Sequence, residues 1–399
     1  MCIRDSTNSD RKELYKALGA NSFYQSQIHL RREELDLAEK KIEEYRVYSD
    51  RLAAVDPADS EGWIEQSYAH NGLGTIAMKR GQFSRAAEEF SVSAQLKQRA
   101  RDSQPGSEKL VAAMANTLSW LAEAKAKLGM LSEAMDYYHR EEELIRPLHE
   151  AAPSNAFWAY RLANAMTFQG ELRLALGQQQ HARDNMLSAE ALLAEVVKQD
   201  PTNRHWQLSL YTVQMKLLDV DSDLGDAGKI QLKQRDLQDK LAALGALSAK
   251  ERPARFSQLS AVAKISLAAT EIKLGQLADA RRLLDDGTSM LETLHASNKN
   301  DSYFISKLAT ALLMQAESDR LSGKTDAALR TCQKAKQVLG RTAEHSADYA
   351  LLAPYVLAQQ CLGEPDDARP QKARLESMSY REARYMKALS AVQSRTSKP

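Results

Sequence analysis

A proline and a glycine alternate at a fixed interval of 24 residues across the middle of this chain, and that interval constrains its fold more than any other feature. Pro57, Gly81, Pro105, Gly129, Pro153, Gly177, Pro201 and Gly225 all fall on the grid. Proline and glycine stop helices, so eight breakers in register imply helices of nearly equal length that reverse direction every 24 residues. The unit is then a two-helix hairpin of 48 residues, repeated. An internal period of that size points to one elongated array in a chain whose 399 residues would otherwise suggest two or three globular domains.

The spacing predicts helices over residues 10–31, 34–55, 61–80, 83–103, 108–128, 131–151, 156–176, 179–199, 204–224 and 227–247. The grid then stretches by two residues, with Gly275, Gly323 and Gly363 marking later hairpins. Glu33 stands where later units carry glycine, which predicts a less regular first turn. Two helix starts share the frame PxNxxW, at Pro153–Trp158 and Pro201–Trp206, with Asn155 and Asn203 as N-caps; Ser107 and Asp301 fill the same place in their units. A last helix over 367–393 is charged nearly all round and serves as a cap. Met1–Ser6 (MCIRDS) is unlike the rest and reads as a non-native start, so the natural N-terminus is expected upstream. The expected organisation is an artefact over 1–6, the repeat array over 7–366, and a capping helix and tail over 367–399.

Counting from each turn glycine exposes a packing lattice. Five residues after it stand Ala86, Ala134, Ala182, Ile230, Ala280 and Ala328, and seven before it Gly74, Ala122, Gly170, Leu218, Ala268 and Ala316. Large residues mostly fill the gaps: Leu73, Leu121, Gln169, Leu217, Leu267 and Gln315 stand eight before, and Phe90, Tyr138, Met186, Gln234, Leu284 and Cys332 nine after. Small residues recur where helices cross closely, and each hairpin must stack on its neighbours for stability.

These features resemble the tetratricopeptide repeat (TPR) family. The family's Leu-Gly pair corresponds to Leu73-Gly74 and, loosened, Leu121-Ala122. Its turn glycine with a large residue two on corresponds to Gly81-Gln-Phe83, Gly129-Met-Leu131 and Gly275-Gln-Leu277. Its alanine is matched by Ala86, Ala134 and Ala280, its second-helix aromatic by Phe90 and Tyr138, and its closing proline by Pro57, Pro105, Pro153 and Pro201. The departure is length, since the family's usual unit is about 34 residues. The resemblance implies an all-α, right-handed α-solenoid of about eight stacked hairpins whose first helices line a concave binding face. It also implies the partner-sensing part of a larger bacterial signalling protein.

Composition restricts the alternatives. Lys plus Arg number 54 against 53 Asp plus Glu, which lacks the basic excess of a general nucleic-acid binder. No apolar run reaches the roughly 18 residues of a membrane span. Cys2, Cys332 and Cys361 form no CxxC pair, so reduced thiols and a cytoplasmic setting are the expectation. The eight histidines, among them His70, His139, His149, His181 and His205, form no HExxH motif, and neither a metal nor a cofactor is expected. Gly72-Leu-Gly74-Thr-Ile-Ala77 has the spacing of a dinucleotide loop but falls in mid-helix. Asp219-Val-Asp221-Ser-Asp223 is calcium-like but misplaces its glycine and lacks the closing glutamate. Gly225–Lys229 reads as a turn, and His139–Glu143 as a charged helix face.

With the first helices lining the inner face, the positions ten, six and thirteen before the glycine point inward. These are Asn71 and Thr75, Ser119 and Glu123, Thr167 and Glu171, Met215 and Asp219, with Tyr68, Asn116 and Asn164 added by the last position. Asparagines with Glu123, Glu171 and Asp219 make a mildly acidic trough suited to an extended backbone with a basic side chain. The expected function is non-catalytic binding of a peptide or partner protein of basic character. An all-helical enzyme with a site between hairpins is the alternative, and an apolar pocket with a convergent histidine and carboxylate would be its mark.

Overall fold

A computed structural model describes residues 7–225 and 254–396, with Asp236 and Asp239 between them. The described residues hold α-helix throughout, one short 3₁₀ turn and no strand. The helices are α1 (Asn8–Arg31), α2 (Leu35–Val55), α3 (Ser60–Lys79), α4 (Phe83–Ser103), α5 (Glu108–Lys127), α6 (Leu131–Ala151), α7 (Ala156–Ala175), α8 (Gln179–Gln199) and α9 (Arg204–Leu224). After the gap come α10 (Ala254–Lys273), α11 (Leu277–Ser297), α12 (Ser302–Leu321), α13 (Thr325–Glu344), α14 (Tyr349–Cys361), α15 (Arg369–Ser377) and α16 (Ala383–Thr396). The expected helix over 227–247, apart from Asp236 and Asp239, lies outside the described residues, as do Ile230 and the turn at 226–229.

Consecutive helices pair as antiparallel hairpins, and α2 packs on α3, α4 on α5, α8 on α9, α11 on α12 and α13 on α14. Packing groups the chain into two units, Met1–Ala152 and Pro153–Pro399. Each is described by itself below.

The breakers act as their chemistry demands. Gly81, Gly129, Gly177, Gly275 and Gly323 all take left-handed φ of 70° to 76°. The next N–H then reaches back to the carbonyl five residues earlier, as from Gln82 to Ala77 at 2.9 Å and from Gln178 to Arg173 at 2.8 Å, closing the last helical turn. Glu33 adopts the same conformation (φ 61°), and Glu34 N–H donates to His29 O at 3.0 Å, so the first turn is as regular as the others. The N-caps form as expected: Asn155 accepts from Phe157 N–H, Asn203 from Trp206, Ser107 from Leu110 and Asp301 from Tyr303.

The lattice is the core. Ala86, Ala134, Ala182, Ala280 and Ala328 are buried, as are Gly74, Ala122, Gly170, Ala268 and Ala316. A Cβ at Gly74 would sit 2.7 Å from the Phe90 ring, and one at Gly170 3.1 Å from the Met186 side chain. The small residue therefore exists to admit the large one across the hairpin. Gly72, in the motif with dinucleotide-loop spacing, lies in mid-helix against Ile42, whose Cδ1 a Cβ would approach to 2.6 Å.

Three expectations need correction. The charged face at 139–143 is solvated only in part: His139, Arg140 and Glu143 are exposed, but Glu141 is buried, and Glu142 is half-buried and paired with Arg146. The single helix over 367–393 breaks into α15 and α16, because Ser379 takes a left-handed φ of 59° and Tyr380–Glu382 run without helix. Cys332 and Cys361 are joined in a disulfide between α13 and α14. Cys332 holds the large core position nine residues after Gly323, beside Ala316 and Ala328, and the end of α14 packs onto it. The cytoplasmic reading rested on reduced thiols and loses that support. Replacing both cysteines by alanine should lower stability by about 3 kcal/mol for a loop of this length, and thermal melts with and without reductant check it. A melt that reductant leaves unmoved would contradict the bond.

Candidate functional site

The expected inward positions divide between the two units. In the first, Tyr68, Asn71 and Thr75 on α3 and Asn116, Ser119 and Glu123 on α5 are all half-buried. Thr75 donates its hydroxyl to the Asn71 carbonyl at 2.9 Å, and Asn71 Oδ1 accepts from Thr117 at 2.9 Å. Beneath them lies a residue that the inward register does not include. Lys97 on α4 is 2% exposed; its Nζ donates to Ser93 Oγ and Thr117 Oγ1, each at 2.7 Å, and stands 5.4 Å from the Tyr68 ring centre. Burial pushes its pKa down from 10.5 to about 7. The signal was in the register. Sixteen residues after the other turn glycines stand Ile145, Leu193, Leu291 and Leu339, all fully buried, so Lys97 is an amine at an aliphatic core position.

In the second unit the positions behave differently from one another. Thr167 is buried and donates to the Ala163 carbonyl within its own helix. Met215 is not inward: it is buried in a cluster with Leu208, Leu218, Phe256 and Leu259. Asn164 is half-buried. Glu171 pairs with Lys216 at 2.9 Å; burial alone would lower Lys216, but the carboxylate beside it holds the ammonium above its ordinary range.

Asp219 is held from two other helices. It accepts from Ser266 Oγ of α10 at 3.0 Å and from the Arg384 guanidinium of α16 at 2.8 Å. Asp223, one turn on, is bridged by Lys273 and by Arg384 Nε at 3.5 Å. Asp221, on the opposite side of the helix and buried, pairs with Arg183 at 2.6 Å. Cations from three other helices thus meet the calcium-like run. Among the described residues no three His, Cys, Asp or Glu side chains gather as a metal site. Three carboxylates at a helix C-terminus oppose the helix dipole, and the opposing cations offset that cost.

A cleft at the last hairpin is lined by Lys336, Glu344, His345, Tyr355, Gln359, Asp367, Pro370, Gln371 and Arg374. Its histidine and carboxylates sit in polar walls, and Glu344 Oε1 accepts from Tyr355 at 3.2 Å. The cleft is open, and most of its lining side chains are polar or charged. Among the described residues no helix is long and apolar enough to cross a membrane.

No family model matches the sequence. No curated protein matches it either. Solved structures do. The apo form of RapI superposes with a TM-score of 0.54 at 12% identity, covering 89% of this chain and 99% of that one. The fold is a TPR-like helical repeat. Two further structures resemble this TPR-like chain at lower scores. One is the Rap conjugation gene regulator of plasmid pLS20 in complex with the Phr* peptide (TM-score 0.49, 11% identity, 92% of this chain and 97% of that one). The other is BtubC from P. vanneervenii (TM-score 0.48, 15% identity, 65% and 92%).

Proposed function

We propose that this TPR-like repeat is a non-catalytic interaction module that grips an arginine-bearing peptide segment on the face lined by its first helices, as the regulatory region of a bacterial signalling protein. The observation that carries this reading is the grip itself. Asp219 and Asp223 on α9, with the free-standing Ala175 carbonyl at the end of α7, already hold an arginine and a backbone N–H of a non-adjacent segment. Paired carboxylates one turn apart select a guanidinium by charge and geometry, and an orphan helix-end carbonyl takes an extended backbone; together they recognise a peptide. Glu171 and Thr167 are engaged within the chain and serve as walls. Tyr68, Asn71, Thr75, Asn116, Ser119 and Glu123 offer a second, more neutral surface in the first unit.

The test is fluorescence anisotropy of a labelled arginine-containing peptide, titrated with the full chain carrying Arg384→Glu, which clears the carboxylates. Adding Asp219→Lys and Asp223→Lys should weaken binding at least tenfold. Equal affinity of the two proteins would remove the reading.

A further inference from the structure

The residues that hold a ligand on α9 are occupied by the chain's own C-terminus, and resting on the reading above, we infer that residues 380–396 are a resident ligand that an external basic peptide must displace. Four observations converge on that segment. After α15 the chain leaves the helical path at Ser379, in the left-handed region that serine rarely adopts, and this swings Tyr380–Glu382 out as a strap. Arg381 N–H donates to the Ala175 carbonyl at 2.8 Å, closing the end of a helix more than 200 residues earlier in sequence. Arg384 reaches Asp219 and Asp223. Tyr385 is buried and stacks edge-on with Tyr380 at 5.3 Å between ring centres.

The docking is specific in one further place. Among Gly81, Gly177, Gly225, Gly275 and Gly323, only Gly177 is crowded: a Cβ there would stand 2.8 Å from the Arg381 carbonyl oxygen and 2.9 Å from its Cβ, while the other four have nothing within 4 Å. The docking is also incomplete. The Tyr385 hydroxyl is buried without a hydrogen-bond partner, and Asp223 is shared between Arg384 at 3.5 Å and Lys273. An unmet polar group and a long ion pair leave a competitor room to bind better. The segment carries the charge the site selects, with Arg381, Arg384, Lys387 and Arg395 against Glu382 alone. Its own chemistry describes the partner: a short amphipathic segment with a backbone N–H donor three residues before an arginine, and an aromatic residue directly after it.

The experiment uses the full chain and a labelled synthetic peptide of residues 379–396. Anisotropy measures its affinity for the wild type, Arg384→Glu, Gly177→Ala and Gly275→Ala, while hydrogen exchange follows residues 380–396 in each. Gly177→Ala and Gly275→Ala share the burden of a left-handed alanine, but only the first expels the strap. The inference predicts at least tenfold tighter peptide binding to Arg384→Glu and Gly177→Ala than to the wild type or Gly275→Ala, together with lost exchange protection over 380–396. Equal binding to all four proteins would overturn it and leave the binding reading standing. Absence of binding in every protein, with protection over 380–396 nonetheless lost in Arg384→Glu, would overturn both and reduce the segment to a structural cap.

Discussion

Replacing Lys97 with leucine should stabilise the first unit by roughly 1–4 kcal/mol at pH 7, the range for exchanging a buried charged group for a packed aliphatic one. Among the described residues the amine meets two hydroxyls and the face of Tyr68, and no carboxylate. Both hydroxyls keep partners without it, since Ser93 donates to the Ser67 carbonyl and Thr117 to Asn71 and the Ala113 carbonyl. The pH dependence makes the prediction specific. A lysine near 7 when folded and at 10.5 when unfolded binds fewer protons in the folded chain across that interval. Stability of the wild type should therefore rise as pH climbs from about 7 to about 10.5, each unit of depression being worth about 1.4 kcal/mol. The penalty is fully present below pH 7. Denaturant melts from pH 6 to pH 10 should show Lys97→Leu well ahead at the acid end and the two proteins converging at the alkaline end. A constant gap would mean that Lys97 is not buried as an amine.

The second large effect is steric. Gly74→Leu should cost about 3 kcal/mol or more, because even a Cβ at that site meets the Phe90 ring at 2.7 Å. Phe90→Ala alone should cost about 3–5 kcal/mol through the cavity it leaves. Combined, the two changes trade volumes across one crossing, so the double variant should be more stable than their sum predicts by about 0.5–3 kcal/mol. Denaturation followed through Trp120, which stacks on Phe90 with ring centres 6.0 Å apart, reports on this crossing. Strict additivity would show that the lattice of small and large residues is not what joins the hairpins.

Helix placement was legible because breakers and caps act locally. A left-handed glycine or an asparagine side chain satisfies backbone groups within five residues, so Gly81 and Asn203 declare their roles in sequence. Register carried the lattice for the same reason. It also led Met215 onto the inner face, where its own apolarity argued for the core. In α9 the crossing position holds Leu218 in place of alanine or glycine, and Met215 packs with it against Phe256 and Leu259 of α10. Register put Asp219 among the inward positions, but the arginine that pairs with it could not be read. Arg384 lies 165 residues away, and no period relates the two. The same holds for Cys332 and Cys361, brought together by the stacking of α14 on α13 with a separation of 29 that matches no motif. Lys97 was readable only by comparing one core position across hairpins.

The most direct test of the account is a hydrogen-exchange footprint of a labelled arginine-containing peptide on the full chain carrying Arg384→Glu. The account predicts that bound peptide adds protection along α9 and α10, near Asp219, Asp223 and Ser266, and at the end of α7. Protection confined to the second helices α8 and α11, or to the polar cleft at the last hairpin, would contradict it.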